Sequence, residues 1–183
     1  MNDLLAADHS EIDVLLDDVF AALEAGEAGQ IYQKLDFFWA RLAMHIRAEH
    51  LHLFPAIMGA IEMLKHTAEN RPLPVLQTAQ SAINGLREDH SFFMHACSAA
   101  IKKMRGLSEG NQADEDVSNH ISTVREVMIT VRRRLEAHNE TEESEVYGLV
   151  EMLLNQTEQK VLNGRIQNEL ANLPPRFGEK DKY

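Results

Sequence analysis

An all-α fold, an antiparallel up-and-down four-helix bundle with a short extra C-terminal helix, is what this sequence predicts, on three observations. Proline and glycine are scarce, five and nine in 183 residues, and long runs are rich in Ala, Leu, Glu and Met, all good helix formers. Along four long stretches the apolar residues recur in alternating steps of three and four, the seam of helices packed at small crossing angles. Between those stretches stand short breaks of Gly, Pro and polar residues, which punctuate helices.

The first helix starts at Asn2 or Asp3, either of which can cap it, and runs to about Ala25, where Gly26 and Gly29 break it. Its seam is Leu5, His9, Ile12, Leu16, Val19 and Leu23. The second runs from near Gln30 to about His66, and Pro55 inside it should kink it or displace a backbone hydrogen bond. Its seam is Leu35, Phe38, Leu42, His45, Glu49, His52 and Ala56. Asn70-Arg71-Pro72-Leu73-Pro74 is a stop and restart, and the third helix continues to about Arg105, with Gly85 a mild weakness. Its seam is Ile83, Leu86, His90, Phe93, Cys97, Ala100 and Met104. Residues 106–116 form a polar loop, and the fourth helix then runs to about Leu154 with the seam Ile121, Val124, Met128, Val131, Leu135, His138, Glu142 and Val146. A shorter helix from about Gln156 to Leu170 leads into a poorly ordered tail. Residues 1–154 are expected to form the bundle domain and 155–183 a C-terminal extension.

A formal net charge of −11 makes nucleic acid and anionic membrane surfaces improbable partners. The single cysteine, Cys97, excludes an intramolecular disulfide and suits a reducing compartment. The N-terminus carries acids in place of a basic leader, and no apolar run approaches the roughly 20 residues of a membrane span. The expectation is a soluble cytoplasmic protein, with the oligomeric state left open, a homodimer included.

The polar residues on these seams carry the chemistry. His9, His45 with Glu49, His90, and His138 with Glu142 are all seam positions. A four-residue step lets imidazole and carboxylate point the same way from successive turns. Nine histidines and 19 glutamates make such a pair unremarkable by chance, so spacing alone is weak. Burial gives it weight: carboxylates at core positions cost several kcal/mol each unless a cation or proton neutralises them. Depth agrees as well. His9 lies about 17 residues before the first turn and His45 about 16 after it, and His90 lies about 17 after the second. His138 sits several residues too deep, an excess that the 106–117 loop or an overhanging first turn must absorb. Four imidazoles and two carboxylates converging in a helical bundle are a ligand set for two iron ions, the carboxylates bridging. Of the other histidines, His50, His66, His95 and His120 fall off the seams and read as solvated, as do Glu140, Glu143 and Glu145. His52 sits one turn beyond Glu49, which leaves it a supporting or ligating role. Met94, Met128, Phe93 and Cys97 read as core.

Asp8-His9, His45-Ile-Arg-Ala-Glu49 followed by Leu53-Phe54-Pro55, Glu88-Asp89-His90 and His138-Asn-Glu-Thr-Glu142-Glu143 together resemble the hemerythrin-like proteins of the HHE cation-binding family, over about residues 1–154. The resemblance implies a non-haem di-iron centre bridged by two carboxylates, with an oxo, hydroxo or water bridge, in a family linked to oxygen or nitric oxide binding, sensing, and iron or redox homeostasis. The sequence departs from the oxygen carriers of the family in three places. Met94 stands where they have a second histidine, Glu142 comes four residues after its histidine where they have an aspartate five after, and His50 follows Glu49 where the family often has a second glutamate.

The expected arrangement has His9 and His45 on one iron, His90 and His138 on the other, Glu49 and Glu142 bridging, and open positions on both ions. Such a site holds less negative charge than a four-carboxylate di-iron centre and suits a small diatomic or peroxide better than a high-valent state. The expectation is therefore a protein that binds or senses oxygen, nitric oxide or peroxide. The rivals are a redox enzyme at the same centre (peroxide or nitric oxide turnover, or iron–sulfur repair) and a structural bundle holding zinc.

Overall fold

The computed structural model of the chain describes residues 2–67, 73–108 and 114–172. Those residues are almost wholly helical and include no strand. Helix α1 spans Asn2–Ala25, α2 Ala28–Ala48, α3 Phe54–Thr67, α4 Leu73–Ser108, α5 Asp114–Thr141, α6 Tyr147–Leu153 and α7 Gln156–Ala171. α1 packs on α2, α2 on α4, α4 on α5, and α5 returns to α1, which closes the up-and-down bundle. No helix among the described residues is long and apolar enough to cross a membrane.

Gly26 ends α1 with a positive φ of 79°, and its N–H donates to the Ala22 carbonyl at 3.1 Å. That left-handed cap is open to glycine at no steric cost. The capping role expected of Asn2 or Asp3 lies outside the described side chains. α4 runs to Ser108, three residues past the expected end at Arg105, and α5 starts at Asp114, inside the expected loop. His138 lies 24 residues beyond Asp114, whereas His90 lies 18 before Ser108, so α5 does overhang. Val117 and Ile121 in its early turns still pack on the core.

The second and fourth long helices are each interrupted by a wide π turn, Glu49–Leu53 and Glu142–Val146. The Phe54 N–H reaches back five residues to the Glu49 carbonyl, and the Tyr147 N–H reaches five back to Glu142. Pro55 follows the first π turn, but the second forms in the same way with Tyr147 and Gly148 after it, so proline is not required for the turn. The extra residue in each turn re-indexes the seam. The sequence period carries the second seam through His52 and Ala56, but Leu53, Ile57 and Ile61 are the fully buried residues. In the fourth helix Val146, Tyr147 and Val150 are fully buried together.

The interior is two apolar clusters. The lower includes Ile12, Leu16, Leu35, Phe38, Leu42, Phe93, Cys97, Met128 and Leu135, with Met94 packed at its edge. The upper includes Leu5, Leu53, Phe54, Ile57, Leu86, Tyr147 and Val150. α7 closes the upper cluster with Leu162, Ile166 and Leu170. A capping box starts α7: Asn155 accepts from the N–H groups of Thr157 and Glu158, and Glu158 accepts from the Asn155 N–H at 2.8 Å. Residues 173–183, the expected tail, lie outside the described residues.

Candidate metal centre

Between the two clusters lies a polar layer of the six residues expected to be ligands. All six, His9, His45, Glu49, His90, His138 and Glu142, are at most 4% exposed, and both glutamates are at 0%. They separate into two groups that share a carboxylate. Glu49, His90, His138 and Glu142 each turn an atom to within 4.8 Å of the others, and so do His9, His45 and Glu142.

The imidazoles meet in pairs through their inner nitrogens. His9 Nε2 is 3.1 Å from His45 Nε2, and His90 Nε2 is 3.0 Å from His138 Nε2. Every outer nitrogen is engaged elsewhere. His45 Nδ1 lies 2.7 Å from Asp8, His138 Nδ1 3.3 Å from Asp89, His9 Nδ1 2.9 Å from Glu143, and His90 Nδ1 2.8 Å from His50 Nε2. A carboxylate on Nδ1 selects the tautomer whose proton is on that atom, which leaves the Nε2 lone pair facing inward.

The carboxylates span the two groups. Glu142 sets one oxygen 3.2 Å from His9 Nε2 and the other 3.1 Å from His138 Nε2. Glu49 sets one oxygen 3.5 Å from His45 Nε2 and the other 3.2 Å from His90 Nε2. Glu49 Oε2 and Glu142 Oε1 nevertheless accept no hydrogen bond. Buried oxygens without donors, facing lone pairs about one octahedral edge away, fit a pair of cations better than they fit each other.

With protons in place of cations, the carboxylates of the layer favour charge on His45 and His138. Burial alone would lower His45, but the Glu49 and Glu142 carboxylates beside it outweigh that and raise its pKa to about 9. Burial also opposes charge on His138, yet Glu142, with Glu49 and Asp89, raises its pKa. Glu142 is held well below the carboxylate range, as His138, His45 and His9 overcome its burial.

Around this layer the outer partners repeat. Arg41 donates to Asp8, which holds His45, and Arg134 donates to Asp89, which holds His138. Phe54 stacks on His90 with ring centroids 5.9 Å apart, and Tyr147 stacks on His9 at 5.8 Å. A pseudo-twofold thus relates α1 and α2 to α4 and α5. A sequence signal for it exists: Arg-x-x-x-His-x-x-x-Glu occurs at 41–49 and 134–142, and Asp-His at 8–9 and 89–90.

Several residues stand where the seam arithmetic did not place them. His50 and Glu143, expected to be solvated, contact the outer nitrogens of His90 and His9, because each follows a glutamate at the start of a π turn. His52, one residue off the re-indexed seam, lies 3.7 Å from Glu169 on α7 and not in the centre. His95 is exposed and bonds the Ser91 carbonyl, and His120 bonds that of Asp116. The side chain of His66 lies outside the described residues. Tyr147 was not anticipated at all. Its hydroxyl is 3.0 Å from His9 Nε2, 3.0 Å from Glu142 and 3.4 Å from Glu49. Burial, Glu142 and Glu49 hold this phenol well above its ordinary pKa. The two halves of the layer therefore differ: a phenol hydroxyl stands beside His9, and the Phe54 ring stands beside His90.

Comparison with known proteins agrees with this geometry. The family model described as the hemerythrin HHE cation-binding domain matches residues 1–150. Neither the curated proteins nor the solved structures searched gave a match. The matched span ends within α6 and covers all six converging residues, so the chain belongs to the hemerythrin HHE cation-binding family.

Proposed function

We propose that this chain is a non-haem di-iron protein that binds or senses a small diatomic or peroxide ligand, oxygen and nitric oxide being the leading classes. In this reading His9 and His45 would hold one iron and His90 and His138 the other, with Glu49 and Glu142 shared between them. The observation that carries it is the pairing of inner nitrogens at 3.1 and 3.0 Å while every outer nitrogen is occupied, with each carboxylate divided between the pairs. Iron would supply redox capacity and open positions for a small ligand. The chain supplies the rest: Asp8 and Asp89 orient His45 and His138, and the two apolar clusters shield the layer from bulk water.

Imidazole and carboxylate donors together suit iron, and a site built as two linked halves argues against a single structural zinc. Protein prepared without added zinc should carry close to two irons per chain. An anaerobic optical titration of the reduced protein with oxygen, nitric oxide and azide then separates ligand binding from turnover. One zinc and no iron, or reduced protein indifferent to all three probes, overturns the reading.

A further inference from the structure

The geometry points to Tyr147 as a fifth protein donor to the ion held by His9 and His45, with no counterpart on the ion held by His90 and His138. This rests on the two-metal reading above. In an octahedron with metal–ligand bonds of about 2.1 Å, neighbouring donors lie about 3.0 Å apart. His9 Nε2 is 3.1 Å from His45 Nε2 and 3.2 Å from Glu142 Oε2. The Tyr147 hydroxyl is 3.0 Å from His9 Nε2, 3.0 Å from Glu142 Oε2 and 3.4 Å from Glu49 Oε1. These are edges of one polyhedron, with the phenol oxygen at the vertex beside His9 and both carboxylates. Tyr147 is fully buried, so its hydroxyl does not face solvent.

The pseudo-twofold shows what the phenol adds. Five residues after Glu142 stands Tyr147, and five after Glu49 stands Phe54. Each ring stacks on the first histidine of the opposite half, at 5.8 and 5.9 Å. One half of the centre therefore meets an oxygen donor where the other meets hydrocarbon. A second break in the symmetry acts in the same sense. The outer nitrogen of His9 meets the Glu143 carboxylate at 2.9 Å, while that of His90 meets the His50 imidazole at 2.8 Å. A carboxylate there makes an imidazole the stronger donor. Anionic groups gather on the His9 and His45 side, which favours the ferric state there. The ion held by His90 and His138 would meet the Phe54 ring in the position that corresponds to the phenol. When the phenol coordinates, its O–H bond breaks, a metal–oxygen bond forms and the proton leaves to solvent, with no change in oxidation state.

The test is spectroscopic. Protein loaded anaerobically with iron(II) and oxidised with ferricyanide should show a visible phenolate-to-iron(III) charge-transfer absorption and enhanced phenolate ring modes in resonance Raman. Tyr147→Phe should keep two irons and lose both signatures. Phe54→Tyr should add a second phenolate and raise the charge-transfer intensity about twofold. Wild-type protein with two ferric irons and no phenolate modes overturns the assignment without any variant. Tyr147→Phe with an undiminished band overturns it as well. Wild-type protein that takes up no iron removes the two-metal reading itself, and this assignment with it.

Discussion

Raising the pH from 6.5 to 9 should destabilise the metal-free protein and, over the same interval, tighten its hold on metal. The group responsible is His45, which is 2% exposed. It faces Asp8 of α1 at 2.7 Å, His9 of α1 at 3.1 Å, Glu49 at the first π turn at 3.5 Å and Glu142 at the second at 3.9 Å. Burial opposes its charge, but the carboxylates prevail and raise its pKa from 6.5 to about 9. A group whose pKa is raised on folding contributes stability that is fully present below its unfolded pKa and lost as the pH climbs through the folded one. At about 1.4 kcal/mol per pKa unit, the displacement from 6.5 to about 9 is worth about 3 kcal/mol. His138, raised by the same carboxylates, acts in the same direction. Glu142 does not compensate. Its depressed pKa contributes stability above the ordinary carboxylate value and loses it only in acid.

Metal must displace these protons, so affinity should rise about tenfold per pH unit for each proton released until the pH reaches about 9. Urea unfolding of chelator-treated protein at pH 6.5, 7.5 and 9 reads the first effect, and competition with a chromophoric chelator reads the second. Glu49→Gln removes the largest raising charge and should shrink both. A metal-free midpoint that stays flat or rises between pH 6.5 and 9 would refute the reasoning.

Glu49→Ala and Glu142→Ala should each lose most of the bound iron, because each carboxylate lies between the two halves of the centre; metal analysis that finds both irons retained removes that residue from the bridge. Chelation should lower the melting temperature of the wild-type protein, since metal bound only by the folded state stabilises it by about 4 kcal/mol at a thousandfold excess over Kd. An unchanged calorimetric transition would mean the layer tolerates its own polar groups. Asp8→Asn and Asp89→Asn should weaken metal affinity about 10- to 100-fold, because each aspartate orients a histidine and neutralises an arginine behind it. Chelator competition at wild-type strength in both variants would show that the histidines hold their orientation unaided.

The six converging residues were legible because a period of 3.6 holds along α1, α2, α4 and α5 up to the level of the site, and they sit where it holds. The order of helices followed from Gly26, Pro72 and Pro74 for the same reason: these residues restrict the backbone locally. What was not legible begins where the period fails. A π turn inserts a residue without altering composition, so His52 and Ala56 were placed on a seam that passes through Leu53 and Ile57. The same insertion hid Tyr147, five residues after Glu142, a step that an unbroken helix would turn away from Glu142. His50 and Glu143 looked solvated because each is adjacent to a seam residue, and adjacent helical residues point about 100° apart. Their contacts with the outer nitrogens of His90 and His9 are long-range and carry no local signature.

The Asp-His dipeptides show how one helix can serve two halves of a site. Asp8 and His9 are successive residues of α1, so they cannot point the same way. His9 turns into the centre, while Asp8 turns into the seam with α2, holds His45 and is itself held by Arg41. Asp89 and His90 divide the same tasks between the centre and α5. Each half thus takes the orientation of one histidine from the neighbouring helix, and neither pair of imidazoles is positioned until its two helices have packed. Arg41 extends the chain of contacts on one side only. It also donates to the Leu170 carbonyl at the end of α7, whereas Arg134, the more exposed of the two, lies over the Phe92 ring. The C-terminal helix, beyond the span that the family model matches, is therefore fastened through Arg41 and Asp8 to His45. That is the same half of the centre that has Tyr147 and Glu143, so the extension reaches the more anionic side through a chain of polar contacts, whereas it meets Phe54, on the His90 side, through the apolar cluster they share.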